Sequence, residues 1–234
     1  MEILVVNPNT TASMTDKIRI AAEKVASAGT TITAVNPTTG PASIEGHYDG
    51  ALAVPGLLAE IAKGEARHAA GHVIACFDDT GLDAARSLAR APVVGIGEAA
   101  FHVCSLIAGR FSVVTTLGRS IPIIEENLVK YGLATRCARV RAAEVPVLAL
   151  EDAESDARRK IEAEIEAAKR DDRAEAIVLG CAGMVDLAAD LSARFGLPVV
   201  DGVTAAVTLV ESLARLGLRT SKHGGYASPL PKPR

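Results

Sequence analysis

An internal duplication is the feature that most restricts how this chain can fold. The apolar run His72–Cys76 ends in a cysteine, and so does a second apolar run, Ala176–Cys181. Each run is followed by a short turn, an alanine-rich amphipathic stretch and a Pro-Val-Val segment, at Pro92–Val94 in one case and at Pro198–Val200 in the other. We therefore interpret the chain as two copies of one unit of roughly 105 residues, each with a cysteine at the end of its third strand.

Apolar runs rich in β-branched residues alternate with amphipathic stretches along both units. This pattern is typical of parallel strands that are buried by helices on both faces. Strands are predicted near Ile3–Asn7, Thr31–Val35, His72–Cys76, Val93–Gly95, Phe111–Thr115, Arg136–Arg141, Ala176–Cys181 and Val199–Asp201. Helices are predicted near Ser13–Ala28, Gly50–Ala62, Asp83–Leu88, Glu98–Ala108, Pro122–Tyr131, Asp152–Arg170, Val185–Arg194 and Thr204–Gly217.

The predicted fold is α/β, with two pseudo-symmetric parallel-sheet αβα lobes and the active-site cleft between them. We expect residues 1–98 together with 206–234 to form the first lobe, which carries Cys76, and residues 99–205 to form the second lobe, which carries Cys181. Parallel sheets bind ligands at the carboxyl ends of their strands, and both cysteines fall there. The tail from Thr220 to Arg234 is rich in Gly and Pro and is predicted to be irregular.

Composition limits the range of partners. The net charge of −3 gives no electrostatic footprint for nucleic acid, so a small molecule is the expected partner. We predict a cytoplasmic protein, because the sequence shows no leader pattern and no apolar run that approaches the roughly 18 residues of a membrane span. Four cysteines without metal-ligand spacing fit a reducing compartment, and no metal is predicted.

The position of the two duplicated thiols suggests acid/base chemistry. Free backbone N–H groups and the dipole of a following helix favour an anion, so we expect them to lower the pKa of both Cys76 and Cys181. Two such thiols on opposite walls of one cleft suit proton transfer at a carbon between them, because one removes a hydrogen and the other delivers one to the opposite face. The result is inversion of a stereocentre without a cofactor. Cys104 and Cys137 lie inside apolar segments and are assigned to packing.

Four short segments carry a family resemblance, namely Asn7–Thr10, Gly40–Gly46, Ala75–Leu82 and Gly180–Met184. Together they resemble the aspartate/glutamate racemase superfamily, and within it the hydantoin racemases. The resemblance implies an aspartate/glutamate racemase-like fold and a pyridoxal-independent enzyme, commonly a homo-oligomer, with Cys76 and Cys181 as the acid/base pair. Allantoin racemases are close relatives, and these motifs do not separate the two.

Hydantoins suit this chemistry because their C5 hydrogen lies beside a ring carbonyl, so that loss of the proton gives an enolate. The expected substrate-binding groups are the amides after the two cysteines and polar side chains on other strand-end loops. They are Asn7, Ser43, Phe77, Asp78, Thr115, Thr116, Ala182 and Gly183. Helix capping and turn formation are the alternative roles for the side chains among them. The apolar Ile44, Phe77 and Met184 favour an alkyl or arylalkyl substituent at C5 over the ureido group of allantoin.

Several features are assigned structural roles. Asp79 is predicted to cap the helix that follows it rather than to act as an acid/base group beside Asp78. Glu45 either contacts the substrate or forms a turn with Gly46. The charged segment Glu151–Arg173 is predicted to be a solvated helix face. The histidines show no ligand spacing, and they are His47, His68, His72, His102 and His223.

Two other functions are compatible with this pattern. Decarboxylation of an activated malonate is possible on such a fold, but it typically uses one cysteine and leaves the second unexplained. A non-catalytic sensor could bind a small molecule in the same two-lobed cleft. Loss of optical rotation from an enantiopure hydantoin would distinguish the enzyme from the sensor.

Overall fold

The computed structural model describes residues 1–152 and 154–231, in which strands and helices alternate along the chain. The strands are β1 (Glu2–Val6), β2 (Thr31–Val35), β3 (Gly71–Ile74), β4 (Val93–Gly95), β5 (Phe111–Thr115), β6 (Cys137–Ala142), β7 (Ala176–Gly180) and β8 (Val199–Asp201). The helices are α1 (Ala12–Val25), α2 (His47–Ala66), α3 (Leu82–Leu88), α4 (Ile96–Ile107), α5 (Ile121–Lys130), α6 (Ala157–Ala167), α7 (Ala188–Phe195) and α8 (Gly202–Arg215). A helix after each strand carries the chain back so that the next strand runs parallel.

The strands form two parallel sheets with the same topology. The first sheet has the order β2-β1-β3-β4 and the second has the order β6-β5-β7-β8. Position for position, each strand of the first half therefore has a counterpart in the second half. The predicted α/β fold, with its duplicated parallel sheets, is confirmed.

Burial explains why some strands are more apolar than others. The central strands β1, β3, β5 and β7 have a neighbour on each side and are almost entirely buried. The edge strands β2 and β6 are half-buried along most of their length and contain polar residues. Near-continuous apolar runs are required only where helices cover both faces of a parallel strand.

Two helices connect the halves through a shared core. Helix α8 packs against β3 and β4 of the first sheet, whereas α4 packs against β7 and β8 of the second, and α4 and α8 contact each other. Phe101 of α4 lies at the centre of this core, with its ring centroid 5.4 Å from that of Phe77 and 6.0 Å from that of Phe111. One core cluster thus contains side chains from both halves.

Some predicted boundaries differ from the structure. The predicted helix Asp152–Arg170 includes residue 153, which lies outside the described residues, and its α-helical part is the shorter α6. Arg158, Arg159 and Glu166 on its charged face are exposed. On the opposite face, Ile161 and Ile165 are fully buried one turn apart. The predicted helix Val185–Arg194 begins as a 3-10 turn at Ala182–Leu187 and becomes α7 only at Ala188.

The end of the chain runs back over the first half. The amide of Thr220 donates to the carbonyl of Arg90 at 3.0 Å, and Gly224–Tyr226 form a short 3-10 turn. The predicted irregular tail extends into residues 232–234, which lie outside the described residues. In residues 1–152 and 154–231, none of the helices is long and apolar enough to cross a membrane.

Candidate active site

A small cavity lies at the carboxyl ends of the central strands of both sheets. Its volume is about 40 Å³, and residues that follow β1, β3, β5 and β7 line it. Both Cys76 and Cys181 are among them. The lining residues are Asn7, Pro8, Asn9, Met14, Ile44, Ala75, Cys76, Phe77, Asp78, Thr116, Ser120, Val147, Gly180, Cys181 and Ala182.

A larger cleft of about 520 Å³ lies at the opposite end of the first sheet, next to the residues that precede β3 and β4. Charged side chains such as Glu65, Arg90 and Arg219 line it. Neither duplicated cysteine lies there. The smaller cavity is therefore the candidate active site, because both duplicated cysteines line it.

Each cysteine lies in the same kind of turn. The carbonyl of Cys76 accepts a hydrogen bond from the Asp79 amide at 3.0 Å, and the carbonyl of Cys181 accepts one from the Met184 amide at 3.1 Å. Both are half-buried free thiols. The turns differ in one side-chain contact, since the sulfur of Cys76 lies 3.4 Å from Oγ1 of Thr80.

Burial, rather than the helix dipole, dominates the acidity of the two thiols. It raises the pKa of Cys76 and of Cys181 to about 12. The backbone N–H of Asp78 lowers the pKa of Cys76, and that of Gly183 lowers the pKa of Cys181, but both effects are smaller than that of burial. The predicted lowering of the thiol pKa is therefore wrong.

The position of α3 explains part of this error. This helix begins at Leu82 and is preceded by Gly81, so its dipole does not end at Cys76. Cys181 does precede a helical segment directly, but that segment is a 3-10 turn of six residues. The two amides that do reach the sulfur atoms belong to the second residue after each cysteine, and they favour the thiolate at equivalent positions in the two halves.

Asp78 is the charged residue that lines the cavity. Burial raises the pKa of its carboxyl to about 6, while the charge of His47 and the hydroxyl of Ser120 lower it. The negative charge of Asp78 in turn raises the pKa of both Cys76 and Cys181. A single carboxylate of the first half therefore acts on the thiols of both halves.

The loop after β1 contributes two asparagines with different roles. The side-chain amide of Asn7 donates to Oδ1 of Asn9 at 2.9 Å and to Oγ1 of Thr15 at 3.0 Å, so it is used to hold the loop. Nδ2 of Asn9 lies 3.3 Å from Sδ of Met14, and a thioether is a weak acceptor. Asn9 rather than Asn7 therefore offers an N–H group to a ligand. Sequence reasoning missed it, although it belongs to the Asn-Pro-Asn-Thr segment that carried the family resemblance.

Three predicted substrate-binding residues do not line the cavity, namely Ser43, Thr115 and Gly183. Oγ1 of Thr115 donates to the carbonyl of Gly180 at 3.0 Å and so joins the ends of β5 and β7. The predicted residues that do line the cavity are Asn7, Phe77, Asp78, Thr116 and Ala182, together with both cysteines.

The apolar part of the wall also differs from the prediction. Ile44 and Phe77 line the cavity, but Met184 is fully buried in the core of the second half. Met14 and Val147 line the wall instead. These residues lie far apart in sequence, one on α1 and the other at the start of a short 3-10 turn, so no local pattern indicates that they meet.

Glu45 joins the two halves beside the cavity. Its Oε1 accepts a hydrogen bond from the amide of Val147 at 2.8 Å, and its carbonyl lies 3.4 Å from Nη1 of Arg119. Its neighbour Ile44 lines the cavity, but Glu45 does not. The residue thus fastens the loop that follows β2 to the second half.

Asp79 caps a helix, but the prediction named the wrong one. Its carboxylate accepts the amide of Gly97 at 3.0 Å and that of Glu98 at 2.8 Å, which are the first-turn N–H groups of α4. Helix α3, which follows Asp79 in sequence, begins after Gly81 without a side-chain cap.

Among the described residues, no group of three or more His, Cys, Asp or Glu side chains is arranged to hold a metal ion.

Solved glutamate and aspartate racemases share this fold of two similar parallel-sheet halves. Residues 3–210 match the model of the Asp/Glu/Hydantoin racemase family, and the chain belongs to that family. The prediction of a racemase, an isomerase, is confirmed. More distant solved structures, at 13 % and 12 % identity, share the fold alone.

Three similar proteins match over nearly their whole length. A hydantoin racemase from Rhizobium meliloti is 53 % identical over 98 % of this chain and 95 % of its own. A solved allantoin racemase from Klebsiella pneumoniae is 49 % identical, covers 99 % of this chain and 95 % of its own, and superposes with a TM-score of 0.97. A solved allantoin racemase from Pseudomonas fluorescens is 44 % identical, and the match covers 100 % of this chain and 99 % of that protein. The two structures superpose with a TM-score of 0.96.

Proposed function

We propose that this protein is a hydantoin racemase, which interconverts D- and L-5-monosubstituted hydantoins without a cofactor. The observation that carries the proposal is that Cys76 and Cys181, at equivalent strand ends of the two halves, line one cavity. The 53 % identity with the hydantoin racemase of Rhizobium meliloti supports the substrate class. The duplicated thiols account for inversion, since one acid/base group is needed on each face of the carbon.

The mechanism uses one thiol in each protonation state. The thiolate removes the C5 proton from one face, the negative charge spreads into the ring as an enolate, and the other thiol protonates C5 from the opposite face. Both sulfur atoms have then exchanged roles, and the reverse reaction follows the same path. Burial raises the thiol pKa values to about 12, which makes the thiolate scarce but strongly basic, as removal of a proton from carbon requires.

Neutral and acidic groups on the wall suit a hydantoin ring. The ring has two carbonyl groups and two N–H groups, so it needs both donors and acceptors. The amide of Asn9 and the hydroxyl of Thr116 can donate to ring oxygens, and the carboxylate of Asp78, which the hydroxyl of Ser120 already holds, can accept a ring N–H. Phe77 and Ala182, the residues directly after the two cysteines, also line the cavity, and their backbone amides are further candidate donors to ring oxygens.

The apolar part of the wall favours an alkyl or arylalkyl substituent at C5. Pro8, Met14, Ile44, Phe77 and Val147 line the cavity, and their side chains offer no partners for the N–H and C=O groups of a ureido side chain. A polar group that enters such a site loses hydrogen bonds to water without replacing them. We therefore expect a higher kcat/KM for 5-alkyl and 5-arylalkyl hydantoins than for allantoin.

Allantoin racemase is the second candidate. The solved allantoin racemases from Klebsiella pneumoniae and Pseudomonas fluorescens, at 49 % and 44 % identity, support it. Allantoin is itself a hydantoin with a ureido group at C5, so the chemistry at the two thiols would be the same. Only the contacts of the substituent distinguish the two substrates.

Polarimetry on purified protein tests the function. We expect enantiopure 5-alkyl or 5-arylalkyl hydantoins to lose optical rotation with higher kcat/KM than allantoin, and free aspartate and glutamate to remain unchanged. Activity should survive chelators, need no added pyridoxal phosphate and fall on thiol modification. A clear preference for allantoin would select the second candidate, turnover of a free amino acid would reject the hydantoin assignment, and binding without turnover would indicate a sensor.

The proposal also covers the lobe boundaries, the cellular location and the oligomeric state of the enzyme. We infer that residues 1–98 with 206–234 form one lobe and 99–205 the other, which the packing of α8 on the first sheet and of α4 on the second supports. The residues of the first lobe include 232–234, which lie outside the described part.

Free thiols support a cytoplasmic location. The exposed side chains of Leu106, Ile107 and Val129 support a homo-oligomer, and analytical ultracentrifugation would measure its subunit number.

A further inference from the structure

The two halves cap the helix after their fourth strand in different ways. In the second half, Asp201 ends β8 and its carboxylate accepts the amide of Thr204 at 2.8 Å, so it caps α8 from within its own segment. The equivalent residue of the first half is Gly95, which has no side chain to cap α4. The carboxylate that caps α4 belongs to Asp79. The cap therefore comes from the turn that begins with Cys76.

Glycines at the start of α4, one at its N-cap and one in its first turn, make room for this carboxylate. A Cβ atom at residue 95 would lie 2.1 Å from Oδ1 of Asp79, and one at residue 97 would lie 2.8 Å from Oδ2. Asp79 itself has a φ of 51°, a left-handed conformation that residues with a Cβ atom rarely adopt. A conformation of this kind persists only where the surrounding contacts hold it, and such residues cluster at functional sites.

Helix α5 of the second half holds the same turn from the other side. The hydroxyl of Tyr131, directly after α5, donates to Oδ2 of Asp79 at 2.8 Å. Four residues earlier, Nδ2 of Asn127 donates to the carbonyl of Asp78 at 3.0 Å. Residues four apart lie on one face of a helix, so these two side chains reach two consecutive residues of the turn together.

We propose that Asn127 and Tyr131 are positioning residues, which with Asp79 form a clamp that fixes the Cys76 turn against the half that carries Cys181. The clamp controls where the sulfur of Cys76 lies in the cavity. The turn at Cys181 has Met184 at the position equivalent to Asp79, and a thioether side chain cannot cap a helix in this way. The effect of the clamp is therefore confined to one thiol of the pair.

Thiol reactivity tests the clamp without any assay of racemisation. The variant is Tyr131→Phe, which removes the hydroxyl and keeps the ring that packs 6.3 Å from Phe101. The matched control is Tyr226→Phe, because the hydroxyl of Tyr226 also donates to an aspartate, Oδ1 of Asp83 at 3.0 Å, in an exposed contact away from the cavity. Iodoacetamide labelling, read for each cysteine by peptide mass spectrometry, gives the two rates separately.

We expect Tyr131→Phe to change the labelling rate of Cys76 by about fivefold and that of Cys181 by less than about twofold, as the loss of one hydrogen bond allows. Asn127→Ala should act in the same direction, and Tyr226→Phe should change neither rate. Equal changes at both cysteines, no change at Cys76, or the same result in the control would overturn the proposal.

A second readout rests on the proposed function. In a Cys181→Ser background, C5 deuterium exchange depends on Cys76, and Tyr131→Phe should lower its kcat about fivefold with little change in KM. In a Cys76→Ser background, the same substitution should leave exchange unchanged. If no variant or parent exchanges deuterium, the proposed function fails, while the labelling rates still decide whether the clamp acts on Cys76.

Discussion

The two halves place their cysteines in the same way but surround them differently. Each thiol follows the third strand of an identically ordered sheet, begins a turn of the same kind and faces the backbone amide two residues ahead. That residue is Asp78 in the first half and Gly183 in the second. Duplication thus conserved the backbone of the turn, whereas the side chains that set the charge around the thiols diverged.

This difference has a chemical consequence. The two faces of a chiral C5 carbon are not equivalent, so two thiols that serve opposite faces have no need of equal surroundings. The charge of Asp78 is the second-largest influence on the pKa of Cys76, after burial. For Cys181 it ranks third, after burial and the amide of Gly183, and the charge of Lys17 lowers the pKa of this thiol. The predictions that follow separate what the thiols share from what distinguishes them.

Removal of either thiol should have the largest effect. We expect Cys76→Ser and Cys181→Ser each to reduce racemisation by about 100-fold or more, because each removes an acid/base group. Each variant should still exchange the C5 hydrogen for deuterium with one enantiomer only, and the preferred enantiomer should differ between the two. NMR in D2O with each pure enantiomer measures this.

The two remaining cysteines serve as controls. Cys104 is fully buried in α4 and Cys137 is half-buried in β6, and neither lines the cavity. Ala at these positions should lower the stability and leave kcat/KM unchanged. Full racemase activity in either Cys76→Ser or Cys181→Ser would contradict the two-base mechanism, whatever the controls show.

Alkylation of the thiols should depend steeply on pH. Because burial raises both pKa values to about 12, the thiolate fraction should rise with pH throughout the accessible range. The labelling rates of Cys76 and Cys181 should therefore increase about tenfold per pH unit, without a plateau, from about pH 7 to about pH 9. A plateau below about pH 8 would show that local amides outweigh burial after all.

Asp78→Asn should then distinguish the thiols from each other. Loss of the negative charge lowers the pKa of both, so both should be labelled faster at a fixed pH. We expect a larger acceleration for Cys76, because the charge of Asp78 ranks directly after burial among the influences on its pKa, whereas for Cys181 it ranks behind both burial and the Gly183 amide. Equal acceleration would indicate that the cavity is electrostatically symmetric. Thr116→Ser, which keeps the charges unchanged, is the control.

The smallest expected effect concerns the cap of the second half. Asp201→Ala removes the cap of α8 and should lower the free energy of unfolding by about 1 kcal/mol, while kcat/KM stays unchanged. Asp201→Ser should recover most of the loss, because serine also caps helices well. Chemical denaturation measures the stability. If Asp201→Ala reduced the activity, the cap of α8 would also affect catalysis, and the effect would not be restricted to the cap of α4 by Asp79.

The fold could be predicted because its signals are local and repeated. Each strand is a run of apolar, β-branched residues, and the bounds of β2, β4, β5 and β8 agree with the prediction. The largest error in a helix boundary falls between β6 and β7. The charged residues around Asp156 suggested a helix that begins at Asp152, whereas α6 begins at Ala157. Helix ends depend on capping contacts and on tertiary packing, which a polar sequence pattern does not specify.

The site was predictable in part. The positions of Cys76 and Cys181 follow from the duplication, and the strand-end loops follow from the rule that parallel sheets bind ligands at their carboxyl edge. The wall is different, because Met14 and Val147 reach it from elements far away in the sequence. The predicted lowering of the thiol pKa was also wrong. The pKa depends strongly on burial, and burial depends on what surrounds a group in space rather than on its neighbours along the chain.

The sequence by itself determined the duplicated α/β architecture, the racemase family and the pairing of the two cysteines, because periodicity and motifs are properties of short segments. Only the tertiary structure decided which helix Asp79 caps. Its carboxylate bypasses α3, which begins three residues later, and reaches α4, where Gly95 and Gly97 leave room for it. A hydrogen bond depends on distance and direction in space, and the chain order alone fixes neither.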